Sequence, residues 1–246
     1  MRSRLPYVLA IAWLLAPVAA AAITPQELIE KMDEAEYGAK DSVAEVKMII
    51  IEKDGKKSER KMKMYQRGSD KRLIKFLSPA DVKGIGFLDE GDDKMYVYMP
   101  AFHKTRRIAG HVKNENFAGT DFSHDDLSTE RFCERLIPKD MKEEGDHYVL
   151  EAAAKPDPDS QWKKLKFHVR KKDFLFDRVE YYDEKGEKAK VFARKEFKPV
   201  GDYIQSFWAE MKDVRSGHTT RMIVENIEMD TGLSSRMFSK RQLKRL

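Results

Sequence analysis

Four glycines in the last quarter of the chain, Gly186, Gly201, Gly217 and Gly232, fall 15, 16 and 15 residues apart. The segments between them, 188–197, 203–214 and 220–229, alternate apolar with polar residues, which is the period-two pattern of half-buried strands. Strands of roughly ten to twelve residues are about 35–40 Å long, beyond the common length. Long antiparallel strands twist and coil, so a sheet built from them curls into a barrel or half-barrel. With 246 residues the chain can close such a sheet over a sizeable core.

The same alternation runs through most of the chain. Val46, Met48 and Ile50 share one strand face, and Asp54-Gly55 marks a hairpin. Met62 and Met64 lie on the return strand. Residues 71–78 read as a third strand ended by Pro79, and 85–88 as a short fourth. In 94–99, Met95, Val97 and Met99 face one way and Tyr96 and Tyr98 the other. Residues 147–154, 162–170 and 175–182 alternate as well, while 128–136 suggest a short helix or turn. Before the strands, Thr24-Pro25-Gln26-Glu27 is a capping box with proline in the first helical turn. Leu28, Ile29, Met32 and Ala35 trace an apolar helix face that ends near Gly38. The expected fold is mainly β: one antiparallel sheet of about ten or eleven strands, curled into an unclosed barrel with the early helix in its concave side.

Residues 1–22 read as a secretory signal peptide. Arg2 and Arg4 precede an apolar run over 5–15, and Ala19 to Ala22 offer a cleavage site near Ala22. The folded domain then covers 23–246, and the destination is the periplasm. The single cysteine, Cys133, excludes an intrachain disulfide, so packing must supply the stability. The 47 basic and 42 acidic residues interleave along most of the chain. A nucleic-acid binder segregates its basic residues, so no nucleic-acid partner is expected. The basic stretch 240–245 reads first as a solvated helix end and second as a contact for anionic lipid.

A sheet that curls around only a helix or two leaves room, and in soluble barrels such room is often an apolar ligand cavity. Of the twelve methionines, Met48, Met62, Met64, Met95, Met99, Met211 and Met222 fall in predicted strands. Flexible thioethers suit ligands of variable shape, such as acyl chains. With the methionines, the expected lining comprises Leu28 and Met32 of the helix, Val46, Ile50 and Val97, and Leu165 and Phe167 of a later strand. Phe117 and Phe122 complete it from a loop.

That loop, 103–127, neither alternates nor follows a helical period. His103, His111 and His124 are spaced eight and thirteen apart, which fits no compact metal-ligand pattern. No metal and no cofactor are therefore expected. Ser123-His124-Asp125 has the residue types of a hydrolase, but consecutive residues point different ways, and no catalytic residue is assigned. A lipid-ester hydrolase is kept as an alternative. Asn114, Asn116, Gly110 and Gly119 permit unusual backbone angles, and the segment suits a lid across the barrel mouth. Arg106 and Arg107 can meet a phosphate headgroup or a partner carboxylate.

Lys104-Thr105-Arg106-Arg107-Ile108, Gly119-Thr120-Asp121-Phe122-Ser123 and Asp125-Asp126-Leu127 resemble the signature of a sorting-protein-like subgroup within the outer-membrane lipoprotein-sorting protein family, the LolA-like fold. The resemblance covers the chain from about residue 23 onward. It implies a periplasmic carrier with an unclosed barrel that shelters acyl chains of lipids or lipoproteins and touches membrane surfaces transiently. It further implies an inner-membrane exporter of the resistance-nodulation type as partner. Unlike the acceptor type, the chain has no cysteine for lipidation after the leader. An envelope interaction module with a filled barrel is a further alternative.

Overall fold

The structure is a computed structural model and describes residues 22–156 and 160–245; the leader reading lies outside the described residues. A single antiparallel sheet of thirteen strands dominates it. Its first meander comprises β1 (Ser42–Ile51), β2 (Lys57–Arg67), β3 (Lys71–Ser78), β4 (Gly86–Asp89), β5 (Met95–Met99) and β6 (Lys104–Ile108). The second comprises β7 (Leu136–Glu144), β8 (His147–Ala154), β9 (Lys164–Arg170), β10 (Phe176–Tyr182), β11 (Lys188–Val200), β12 (Tyr203–Asp213) and β13 (Thr219–Met229). The two meanders join where β1 pairs with β13, with Val46 opposite Val224 and Met48 opposite Met222. β6 and β7 are the two free edges, so the barrel stays unclosed.

The count exceeds the ten or eleven strands expected, and both extra strands are edges. β6 carries Lys104, Arg106 and Arg107 on its short length, and charged side chains are what keep an edge from pairing with another chain. β7 contains Pro138, which an edge strand tolerates because no inner neighbour needs its missing N–H. A register shift falls at the same place, between Pro138 and Asp140.

Helix α1 (Pro25–Tyr37) starts with the expected capping box: the Glu27 N–H donates to Thr24 Oγ1 at 3.2 Å and the Thr24 N–H to Glu27 Oε2 at 2.8 Å. Leu28, Ile29 and Met32 are fully buried against Leu150, Phe167 and Phe176 on the concave side. Each contributes about 2 kcal/mol of apolar burial. The same helix buries Asp33, whose carboxylate accepts the Phe132 and Cys133 N–H groups at 2.7 and 3.0 Å. It thereby caps α2 (Phe132–Arg135), the short helix that leads into β7. Gly38 ends α1 without a left-handed turn, at φ −66°. Its role is close approach, since a Cβ there would lie 2.7 Å from the Glu34 carbonyl oxygen.

On the convex side, the C-terminal segment crosses β2 to β5. Phe238 and Leu243 pack with Tyr65, Leu73 and Leu88, and α3 (Lys240–Arg245) seats Leu243 with no exposed surface. Asp41 fixes the approach of this segment: its carboxylate accepts the N–H groups of Thr231, Gly232 and Leu233 and the Thr231 hydroxyl, at 2.7–3.0 Å. Burial alone would raise its pKa, but these donors hold it below the usual aspartate value.

Candidate functional site

The chain leaves one free edge at Ile108 and enters the other at Leu136. The connection, residues 109–135, must therefore cross the open side of the barrel, and it does so through the interior. It descends by 3-10 turns at Gly110–Asn114, Phe117–Gly119 and Asp125–Leu127. Phe117 stacks on Phe76 with centroids 5.6 Å apart and meets Phe87 edge-on at 5.9 Å. Phe122 meets Phe192 edge-on at 5.8 Å. With Leu127 these rings fill the hollow of the first meander. The segment is a plug rather than a surface loop.

Each residue of the Gly119–Ser123 run has a physical task. Ala118 and Gly119 turn the backbone through left-handed angles, φ +50° and +72°. The Thr120 hydroxyl donates to the Phe117 carbonyl at 2.8 Å, closing the turn. Asp121 is a latch. Its N–H donates to Thr220 Oγ1 at 2.9 Å, and its carboxylate accepts the Thr220 hydroxyl and faces His218 Nδ1, both at 2.7 Å. Phe122 supplies the core ring. The Ser123 hydroxyl and N–H both donate to Asp126 at 2.8 Å.

Charged side chains from both meanders tie the plug down. Arg60 of β2 donates to the Ala118 carbonyl, and Arg72 of β3 to the carbonyls of Leu127 and Ser128 at 3.0 and 3.3 Å. From the other side, Lys190 of β11 donates to the Asp121 carbonyl at 2.8 Å. Within the connection itself, Arg135 at its end pairs with Asp125 and reaches Ser128 Oγ at 3.1 Å. Tyr181, with its pKa driven well upward by burial, bonds Asp126 from β10.

The expected lining residues fall into two neighbouring clusters. Val46, Met48, Ile50, Met62, Met95 and Met211 are buried with Phe117 and Phe122, while Met64, Val97 and Met222 pack half-buried against them. Leu28, Met32, Leu165 and Phe167 lie in the cluster around α1. Tyr181 and Phe192 touch both. Met99 is half-buried near the end of β5 and joins neither. In this conformation these side chains pack against each other and the plug. A polar cleft of about 930 Å³ lies instead at the rim, with Asp70, Asp89, Asp92, Asp93, Glu130 and Lys113 around it.

Arg106 and Arg107 are both exposed on β6 but stand opposite Val97 and Tyr96, hence on opposite faces of the sheet. The structure does not aim them at one headgroup. His124 Nδ1 lies 3.1 Å from the Val112 carbonyl, and burial pushes its pKa down. Ser123 is committed to Asp126, so the two side chains are not a nucleophile–base pair here. Among the described residues no group of three His, Cys, Asp or Glu is placed to hold a metal. The Cys133 thiol is pushed up to about 11 by burial and by Asp33 beside it.

Sequence reasoning missed the latch partners Thr220, His218 and Lys190. They lie about seventy to a hundred residues from Asp121, on strands where alternation shows only which face they occupy. The available signal was Lys190, a cation on the same inward face as Phe192 two residues on, in an otherwise ordinary strand.

The unclosed antiparallel barrel is the fold of the LolA superfamily. An outer-membrane lipoprotein-sorting protein domain from Vibrio parahaemolyticus is similar over 90% of this chain and 100% of its own, with 26% identity and a TM-score of 0.80. A DUF1329 family protein from Desulfovibrio piger is similar over 89% of this chain and 97% of its own, with 28% identity and a TM-score of 0.81. A LolA superfamily protein from Nitrosomonas europaea shares the fold at 18% identity, over 90% of this chain and 100% of its own, with a TM-score of 0.74. No curated protein matches the chain. The chain belongs to a family described as uncharacterised-protein-like, whose model matches residues 68–245.

Proposed function

We propose that the protein is a periplasmic carrier that shelters acyl chains of lipids or lipoproteins in the hollow of its half-barrel. The observation that carries this reading is the covering of the concave face. Its methionine-rich surface is closed by α1 and by the 109–135 plug, not by paired strands. A cover of that kind can move without breaking the sheet, as lids over binding sites do. Similarity to a protein described as sorting lipoproteins supports the class of cargo. In this reading the plug withdraws, the acyl chain takes the place of Phe117 and Phe122, and the cargo is exchanged between envelope membranes or with an inner-membrane exporter of the resistance-nodulation type. Among the described residues no helix is long and apolar enough to cross a membrane.

The packed interior favours a second reading, in which the barrel is permanently filled and the protein works through its outer surface. One experiment separates the two. The chain is purified from a Gram-negative periplasm without detergent and extracted with organic solvent, and the extract is analysed by mass spectrometry. Stoichiometric phospholipid or lipopeptide supports the carrier and names its cargo class. No lipid, together with no uptake of a fluorescent fatty acid, refutes it in favour of the filled module.

A further inference from the structure

The charge of the chain is not spread as evenly as its sequence suggests. Three segments meet on the first meander: the β3–β4 turn with the end of β3 (77–86), the β5–β6 turn with β6 (99–108), and the C-terminal segment (234–245). Together they hold nine lysines and arginines against one acid, Asp81. That excess is larger than the net +5 of the whole chain. α3 contributes Lys240, Arg241, Lys244 and Arg245, all exposed, and only Leu243 of its apolar face is needed to seat it. Lys240 lies 4.0 Å from the centre of the Tyr96 ring, and Arg107 stands opposite Tyr96 on the next strand. None of these α3 cations, nor Arg106 or Arg107, forms an ion pair among the described residues.

A second observation separates a bilayer from an acidic protein as the partner. Three large apolar side chains are exposed among the described residues, and two of them, Leu77 (43%) and Phe102 (63%), project from this same end of the sheet. Leu77 is near the end of β3 and Phe102 lies in the turn between β5 and β6. The two turns abut, because a Cβ on Gly84 would come within 3.0 Å of Pro100. α3 points toward them: it runs from Tyr96 to Gly86, where Leu243 sits directly on the glycine. Isolated apolar side chains rimmed by cations are how peripheral proteins hold an anionic bilayer. The acid-rich rim with Asp70, Asp89, Asp92 and Asp93 lies at the opposite end of the same strands, so the field of this half orients the molecule.

We propose that the convex face and lower end of the first meander, built from α3, β6 and the two turns, form a docking surface for an anionic phospholipid bilayer. α3 and Arg107 meet the headgroups, and Leu77 and Phe102 enter the interface. This deepens the carrier reading by assigning the side that faces the membrane, while resting on observations independent of the hollow.

The test is flotation of the purified full chain with phosphatidylglycerol–phosphatidylethanolamine vesicles and with phosphatidylcholine vesicles, at low and high salt. Each cation near an anionic surface is worth about fivefold in binding. Replacing Lys240, Arg241, Lys244 and Arg245 by glutamine should therefore weaken binding to the anionic vesicles at least about 100-fold. The charge-matched control replaces Lys139, Lys155, Lys172 and Lys185, exposed residues of the second meander, and should weaken it far less. Phe102→Ser with Leu77→Ser should lower affinity while leaving the salt dependence intact. Equal weakening by the two lysine–arginine sets would assign binding to net charge and overturn the surface. So would absence of binding to anionic vesicles, including the case where an α3-dependent cross-link to an acidic envelope protein appears instead. Lipid extracted from the same samples reports on the hollow separately. Docking without bound lipid removes the carrier and leaves the surface, and bound lipid without docking does the reverse.

Discussion

Replacing Asp121 by alanine should release the plug while leaving the sheet folded. The carboxylate is 3% exposed and holds two partners at 2.7 Å, the Thr220 hydroxyl and His218 Nδ1. Thr220 has no exposed surface, so its hydroxyl loses its acceptor in the variant, whereas His218 is partly exposed and turns to water. An unsatisfied buried group costs about 1–3 kcal/mol, and more when a charged partner is lost. The expected total is about 2–4 kcal/mol. The backbone contacts remain, because the Asp121 N–H still reaches Thr220 and Lys190 still reaches the Asp121 carbonyl.

The location of that loss is the test. If the plug opens as a unit, the free energy appears in its own opening equilibrium. Hydrogen exchange at the Phe117 and Thr120 amides, which bond within the plug, should then accelerate about 30-fold to 1,000-fold, at about 1.4 kcal/mol per tenfold. Amides of β1 around Met48 should change much less. Uptake of a fluorescent fatty acid should rise in the same variant. Equal acceleration in the plug and in β1 would refute the reasoning, because the plug would then be part of the global core and no separate cover would exist.

Two further predictions concern buried charge. Lys75 is 1% exposed, with its Nζ only 3.3 Å from the Gly84 carbonyl and 5.3 Å from the Tyr98 ring centre, and burial pulls its pKa from 10.5 to about 8. Lys75→Met should therefore stabilise the protein by about 1–2 kcal/mol at neutral pH. The native protein sheds this proton before the unfolded chain does, so the wild type should gain stability as pH rises from about 8 toward 10.5 and the variant should not; urea midpoints at neutral and alkaline pH measure both. Glu180 behaves oppositely: burial would raise its pKa, but Tyr182, Arg178 and Lys188 at 2.6–3.2 Å hold it at about 2. Its folded value lies below its unfolded one, so its contribution is complete above about 4.5 and lost as pH falls toward 2. Glu180→Gln should cost about 1–2 kcal/mol at neutral pH, after allowance for solvent screening, and should flatten the acid limb of a thermal-melt series.

The parts of the fold legible in the sequence are those where a single period decides. α1 carries a capping box and a 3.6-period face, and β1 alternates through Val46, Met48 and Ile50. β6 and β7 were not legible because edge strands are selected against looking like strands: three of the five residues of one are cations, and the other contains a proline and three acids. The inward positions of the methionines followed from alternation, since a one-residue slip would reverse every face. The plug followed only in part. Phe117 and Phe122 announced an apolar destination, but no local pattern pairs Asp121 with Thr220 across 99 residues. Of the basic surface, the stretch 240–245 and the Arg106–Arg107 pair were legible separately as lipid contacts, but their union with the β3–β4 turn was not, because the three segments are far apart in the sequence and adjacent only through the order of β3, β4, β5 and β6.

That same strand order explains why the hollow is plugged and why a plug is compatible with carriage. The free edges are joined by one connection, and the edges themselves are charged or interrupted, so the barrel cannot close by pairing them. Without closure the methionine-lined face needs a cover, and the connection is the segment tethered to both sides of the gap. Withdrawing it exposes Phe117, Phe122 and Leu127, a loss of about 5–9 kcal/mol of apolar burial, apart from its polar ties. An acyl chain of about a dozen carbons regains about 10 kcal/mol at about 0.8 per methylene, before ordering costs. In the proposed carrier, two terms of similar size and opposite sign would make the exchange reversible: cargo would displace the plug when presented at a membrane, and the plug would reclaim the hollow when cargo leaves. A deep cavity left empty would lack the second half of that exchange and would hold its cargo too firmly to pass it on.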